Sequence, residues 1–277
     1  MNQNAGIGLN VMIIGDSHLS HVAQFFESGR IKVNKLIRID APCLPIPNTN
    51  YIYEVTQFKQ KNQKCTQSHE TLLASIDQAD IVILAARWSY PLMGPESQNV
   101  KNLWTRQALL IDDNLMPPYD LDLTASHAVF EKRFLEFLDL LKGKNKSLLI
   151  FGEVPPLGAD VANCNSTIFS QMELCNNEFY SYDEVQNLIG YSRNFFISLS
   201  RPKLGIHYFD TQSLFCNASL NECKKIFNNS FLYRDSNHLD LANPASKNAY
   251  FSLALDEFLK FFSNVQSQHM VSQRDSN

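Results

Sequence analysis

The chain has 277 residues, 44% hydrophobic and 19% charged, with a formal net charge of -4. That length suits one large α/β domain or two small ones around a substantial core; one domain is expected over residues 1–265, with a mobile polar tail over 266–277. The acidic balance offers no general attraction for phosphate backbones, which excludes nucleic acid as a partner, and no apolar run reaches the roughly 18 residues of a membrane-spanning helix.

Leu9 to Ile14 is a short apolar run ending in Gly15-Asp16, and Leu19, Val22, Ala23 and Phe26 then recur at helical spacing. This reads as strand, tight turn, helix. Ile31 to Ile39 is a second predicted strand, followed by a loop whose Pro42, Pro45 and Pro47 no regular element tolerates. A helix is predicted over Glu70 to Asp77, and a strand buried on both faces over Ile81 to Ala85. Beyond an irregular stretch rich in Pro, Asn and Trp, Thr124 is placed to cap a helix whose apolar stripe includes Val129, Phe130, Phe134, Phe137 and Leu141. Ser147 to Phe151 is the next strand, then come a helix near Asp183 to Leu199, a strand at Ile206 to Phe209 and a long amphipathic helix over Pro244 to Phe262. Such alternation implies a parallel sheet with helices on both faces, whose working groups gather at the carboxyl ends of the strands.

Six cysteines, at 43, 65, 164, 175, 216 and 223, form three sequence-near couples in loop segments. Even number and loop placement point to disulfides. Proximity favours Cys43 with Cys65, Cys164 with Cys175 and Cys216 with Cys223, although other connectivities stay open, as do six reduced thiols in a cytosolic protein. No CxxC occurs, which disfavours a metal site, and Met1 to Asn10 has neither the positive start nor the apolar run of a secretory signal.

The first strand end reads Gly15-Asp16-Ser17-His18. A serine hydroxyl at a strand-to-helix turn becomes a nucleophile once a base takes its proton, and the helix start offers N–H groups to the anion that forms. The plainer alternative is a helix cap. Near the other end, Asp235-Ser236-Asn237-His238-Leu239 places a carboxylate three residues before an imidazole. In a turn, Asp235 accepts one ring N–H and leaves the other nitrogen of His238 to act as base.

A strand-ending Gly-Asp-Ser, an Asp-x-x-His before the last helix and the α/β alternation between them together resemble the SGNH (GDSL-like) hydrolase superfamily, over Val11 to about Phe262. The resemblance implies a three-layer flavodoxin-like fold and a triad of Ser17, His238 and Asp235. The form Gly-Asp-Ser-His, a loop cysteine after the second strand, Ala86-Arg87-Trp88, Gly152-Glu153-Val154-Pro155 and Asp-x-x-His-Leu look like one subgroup. These are extracytoplasmic SGNH domains fused behind acyltransferase-family-three membrane domains in bacterial polysaccharide O-acetyltransferases. The implied partners are an acyl donor delivered by the membrane domain and a polysaccharide acceptor, with neither cofactor nor metal. The chain would then be periplasmic, the soluble part of an inner-membrane protein, which accounts for the missing signal. A free-standing carbohydrate or lipid acetylesterase and a catalytically silent glycan-binding module are the alternatives.

The sequence departs from the broader family at the oxyanion hole. Where most members carry Gly-x-Asn-Asp, this chain reads Ala85-Ala86-Arg87-Trp88-Ser89, and Asp40-Ala41-Pro42-Cys43 stands where a glycine is usual. Ser17 N–H is therefore expected to be joined by the Arg87 side chain or a neighbouring amide, or the hole is completed only when a partner binds. Arg87 and Trp88 are candidate substrate-binding residues, with structural roles as the alternative; Trp88 and Trp104 could stack on sugar rings. A metal pair of His18 and His21 is disfavoured for want of a nearby third ligand.

Overall fold

The computed structural model describes residues 8–53, 62–93, 108–114, 122–156, 179–235 and 237–275. In chain order they form β1 (Asn10–Gly15), α1 (Leu19–Glu27), β2 (Lys35–Asp40), β3 (Thr49–Tyr53), α2 (Gln63–Ser75), β4 (Ile81–Ala85), β5 (Ala108–Asp112) and α3 (Leu123–Gly143). There follow β6 (Ser147–Phe151), β7 (Phe179–Ser181), α4 (Tyr182–Leu199), β8 (Ile206–Phe209) and the short α5 (Gln212–Phe215). Four two- or three-residue strands, β9 (Cys216–Asn217), β10 (Glu222–Lys224), β11 (Ile226–Phe227) and β12 (Ser230–Phe231), lead to the last helix, α6 (Pro244–Asp275).

Five strands make one parallel sheet in the order β2-β1-β4-β6-β8. After β1 the chain first adds a strand on one side and then continues on the other, so the winding reverses between β1 and β4. In open α/β sheets the crevice beyond the carboxyl ends at such a reversal is the usual place for a ligand.

Successive side chains of a strand point to opposite faces, so an unbroken apolar strand needs a covering layer on each. Val11 and Ile13 of β1, Ile81 and Ile83 of β4, and Leu149 and Phe151 of β6 enter one core. Met12, Ile14, Val82, Leu84, Leu148 and Ile150 enter the other. Helices α1 and α6 cover the first face, and α2 and α3 the second. The three-layer α/β arrangement expected from the alternation is the one observed.

The structure corrects the sequence reading in five places. Helix α3 is capped not by Thr124 but by Asp122, whose Oδ1 accepts the Ala125 N–H at 2.7 Å. Strand β2 begins at Lys35 rather than Ile31. Helix α2 begins at Gln63 rather than Glu70, because the Asn62 side chain caps it by accepting the Lys64 N–H. Strands β3 and β5 pair antiparallel, from Thr49 opposite Asp112 to Tyr53 opposite Ala108, in stretches expected to be irregular. Finally, the last helix does not stop near Phe262 but runs on to Asp275. Phe258, Phe262, Val265 and His269 keep one buried stripe along the helix, and His269 Nδ1 lies 2.8 Å from Ser147 Oγ. A histidine that reads as polar is a satisfied interior group here.

Disulfides join Cys43 to Cys65 and Cys216 to Cys223, as proximity suggested; Cys164 and Cys175 lie outside the described residues. At the centre of the α1/α6 layer, the fully buried Phe258 stacks on Phe25 with ring centroids 4.6 Å apart and meets Phe151 and Phe209. Phe258→Ala leaves a cavity among these rings and is expected to lower stability by about 3–5 kcal/mol, measured by urea denaturation.

Candidate active site

Strand β1 ends at Gly15, where a Cβ would stand 1.6 Å from the Ala85 carbonyl oxygen. Only glycine lets β1 and β4 come this close. The chain then turns, and the Leu19 N–H donates to the Asp16 carbonyl at 3.0 Å as α1 begins. Asp16 Oδ1 accepts the His18 N–H at 2.8 Å and Oδ2 accepts the Arg87 N–H at 2.9 Å, so one carboxyl ties the turn after β1 to the turn after β4. Burial pushes that carboxyl up to about 6 against the pull of the two N–H groups. Ser17 is left exposed at the mouth of the crevice.

The second half of the site comes from a closed loop between β12 and α6. Tyr233 and Leu239 form an antiparallel bridge, and the Arg234 N–H donates to the His238 carbonyl at 3.0 Å. Within the loop, Asp235 Oδ1 accepts the N–H groups of Asn237 at 3.0 Å and His238 at 2.8 Å, the local turn that aspartate favours. His238 Nδ1 lies 2.9 Å from Asp235 Oδ2, and His238 Nε2 lies 2.6 Å from Ser17 Oγ. The structure therefore brings Ser17, His238 and Asp235 together. Partial burial alone would raise the Asp235 carboxyl, but bonds from the His238 ring and the two N–H groups prevail and hold it well below the usual carboxylate range. An anionic Asp235 accepts a hydrogen bond from the His238 Nδ1–H, which leaves Nε2 unprotonated as the acceptor facing the serine.

Two histidines of the α1 start grip this loop from beneath. His21 Nε2 accepts the Leu239 N–H at 3.2 Å, and His18 Nε2 stands 3.3 Å from Asn237 Oδ1, one contact on each side of His238. Burial, followed by the neighbouring imidazoles, pushes His18 well below its ordinary range; burial and then His238 push His21 to about 3. Both are neutral at physiological pH and work through their hydrogen bonds. The buried Tyr233 adds an anchor by donating its hydroxyl to the Pro155 carbonyl at 2.9 Å. Among the described residues, no group of three or more His, Cys, Asp or Glu side chains is arranged to hold a metal ion.

Arg87 and Trp88 part company. Trp88 is 1% exposed, donates its indole N–H to the Phe151 carbonyl at 3.0 Å and packs edge-on against Phe196. The expectation that it touches substrate is corrected: the ring lies in the core, where its one donor finds a backbone partner. Trp104 lies outside the described residues. Arg87 borders the Ser17 cavity, with its guanidinium 4.9 Å from the centre of the Tyr90 ring. Its turn is braced from the end of β6, where the buried Glu153 accepts the Ser89 N–H at 2.7 Å and the Ser89 hydroxyl at 2.8 Å. Burial pushes Glu153 up to about 7.

Two hollows meet at Ser17. A cavity of about 320 Å³ is bounded by Ser17, His238, Asn237, Arg87, Tyr51 and Tyr90. A more open groove of about 660 Å³ runs from Ser17 and Pro42 along Lys64, Gln67 and Thr71 of α2. Two backbone amides of the turns beside the serine are already engaged, Ala41 N–H by the Gly15 carbonyl at 2.7 Å and Arg87 N–H by Asp16. The Arg87 side chain, which borders the same cavity, is a candidate second donor for an oxyanion. Tyr51, Tyr90 and Asn237 were missed as site residues. Tyr51 carried no signal because its strand was not legible, whereas Asn237 stood within the Asp-x-x-His motif itself.

A family model described as SGNH domain (fused to AT3 domains) matches residues 2–242. No curated protein matches the chain.

Two carboxyls at the foot of the site, the partly exposed Asp16 and the buried Glu153, have a measurable consequence. Asp16 and Glu153 are raised in the folded chain to about 6 and about 7, so each keeps a proton that the unfolded chain has already released. Their contribution to stability is present at acid pH and is lost as pH rises through those values. Glu153→Gln, whose Oε1 can accept the Ser89 N–H while its amide donates to the Ser89 hydroxyl oxygen, is expected to flatten the decline in stability between pH 4.5 and 7, read by urea unfolding at a series of pH values. An unchanged slope would contradict this.

Proposed function

The chain belongs to the family of SGNH domains fused to AT3 domains, and from that membership we propose that it carries an acyl group on Ser17 and places it on a sugar hydroxyl of a cell-surface polysaccharide. Membership makes it an SGNH-type hydrolase or acyltransferase; the acyl-serine and the glycan acceptor are our reading. The observation that carries it is the 2.6 Å contact between Ser17 Oγ and His238 Nε2, with Asp235 on the far side of the same ring.

As Ser17 Oγ attacks the acyl carbonyl carbon, His238 Nε2 takes its proton and Asp235 stabilises the imidazolium. The oxyanion accepts from the Ser17 N–H and from the Arg87 guanidinium, in place of the asparagine used by the broader family. Loss of one such donor costs on the order of 10²–10³ in rate. The donor's leaving oxygen departs with the proton from His238. An acceptor hydroxyl then gives its proton to His238 and attacks the acyl carbon, and Ser17 leaves and recovers its hydrogen. Water in the acceptor's place makes the same site an esterase, so exclusion of water separates the two outcomes.

The AT3 domain is the proposed source of the acyl group. The two disulfides support a periplasmic setting, since such bonds persist in oxidising compartments. No described helix is long and apolar enough to cross a membrane.

Exposure to p-nitrophenyl acetate, followed by intact-protein mass spectrometry, tests the nucleophile. One acetyl group is expected on wild type and none on Ser17→Ala, with nitrophenolate release reduced by about 10⁴-fold or more. Equal labelling of the two proteins would remove Ser17 from its role.

A further inference from the structure

The cavity and the groove share Asp16, Ser17, Ala41 and Pro42, so they are two halves of one track that passes over the nucleophile. They differ in one respect that matters for proton transfer. His238 borders the cavity and not the groove. Any hydroxyl that attacks an acyl-Ser17 must hand its proton to His238 Nε2, and any leaving oxygen must collect one there. Both must therefore stand in the cavity, and the groove is left without a reacting group.

The groove's chemistry says what else it suits. Lys64, Gln67, Ser68 and Thr71 fall at i, i+3, i+4 and i+7 of α2 and present one polar face to it. Facing an apolar wall that includes Ile39, Ala41 and Pro42, this ammonium, amide and pair of hydroxyls offer a sugar chain both hydrogen-bond partners and a surface for its C–H faces. The Ser68 and Thr71 hydroxyls donate back to the Lys64 and Gln67 carbonyls, which leaves their oxygens as acceptors. The Lys64 ammonium has no ion-pair partner among the described residues, while Asp40 on the opposite wall is engaged by Arg38 at 3.0 Å. The walls are also fixed relative to each other. Cys43 follows Pro42 on one wall, Cys65 follows Lys64 on the other, and the two are joined by a buried disulfide.

We propose that this groove is a flanking subsite for the acceptor: the sugar to be acylated sits in the cavity beside His238, with the packed Tyr51–Tyr90 pair forming part of its wall, and the rest of a hydroxyl-rich glycan chain continues past Ser17 along α2. The inference rests on the acyl-serine reading above and adds to it a chain-length requirement. In the transfer step the acceptor oxygen bonds to the acyl carbon and the bond from that carbon to Ser17 Oγ breaks. The acceptor's proton passes through His238 to Ser17. Sugars in the groove take no part in this exchange; they hold the reacting one against thermal motion, and looseness of about 1 Å in such positioning can cost on the order of 10²-fold.

The test measures how acetyl-Ser17, formed from p-nitrophenyl acetate, partitions between water and added sugar. The acceptors are glucan, mannan and N-acetylglucosamine oligosaccharides, each from monosaccharide to hexasaccharide. Wild type is expected to show a transfer-to-hydrolysis ratio that rises by about tenfold or more with chain length in at least one series, equivalent to about 1.4 kcal/mol of added binding. Thr71→Met, which fills the groove from an exposed position of α2, and, separately, Gln67→Leu, which removes its amide partner, are expected to abolish that rise. A rise that survives in both variants, or no rise in any series while acetyl-Ser17 forms normally, would overturn the subsite. Failure to form acetyl-Ser17 at all would instead overturn the nucleophile on which it rests.

Discussion

Everything proposed for this chain depends on a grip between two elements more than two hundred residues apart. The Asp235–His238 loop is closed by its own bridge, but a closed loop at a surface has no fixed position by itself. Its position comes from the buried Tyr233, held on the Pro155 carbonyl, and from the first turn of α1, where His18 and His21 contact Asn237 and Leu239 on either side of His238. Ser17 immediately precedes that turn, so the nucleophile and the grip on its base are one rigid unit. The 2.6 Å approach of His238 Nε2 to Ser17 Oγ follows from this placement.

A carboxyl drawn away from water is costly unless it is hydrogen-bonded. The partly exposed Asp16 is held by N–H groups from two different turns, and the buried Glu153 by both donors of Ser89. Together they connect the ends of β1, β4 and β6, which is why Arg87 is presented to the cavity while the adjacent Trp88 is turned into the core. The environment also separates the carboxyls by task. Burial raises Asp16 and Glu153, while the hydrogen bonds of Asp235 outweigh its burial and keep it anionic beside the imidazole.

Much of this was legible in the sequence because it is local. The strand-turn-helix at Gly15-Asp16-Ser17 and the buried strands Ile81–Ala85 and Ser147–Phe151 declare themselves by composition and period, and the Asp235–His238 spacing is a turn in itself. What was not legible depends on distant partners. The β3/β5 ribbon pairs residues about sixty positions apart, so neither half shows as a strand alone, and Tyr51 was lost with it. Trp88 reads equally as a platform or as core until its indole N–H is seen on the Phe151 carbonyl. The final turns of α6 read as a polar tail because nothing local reveals that His269 meets Ser147.

Replacement of Asp235 by asparagine addresses the central claim most directly. An amide can donate to Nδ1 and so hold His238 in the tautomer whose Nε2 carries a proton and cannot receive one from Ser17. The measurement is the rate of Ser17 acetylation in a folded Asp235→Asn protein. A fall of about 10⁴-fold is expected if the imidazole is the base and the carboxylate orients it; acetylation of Ser17 at the wild-type rate would contradict the account.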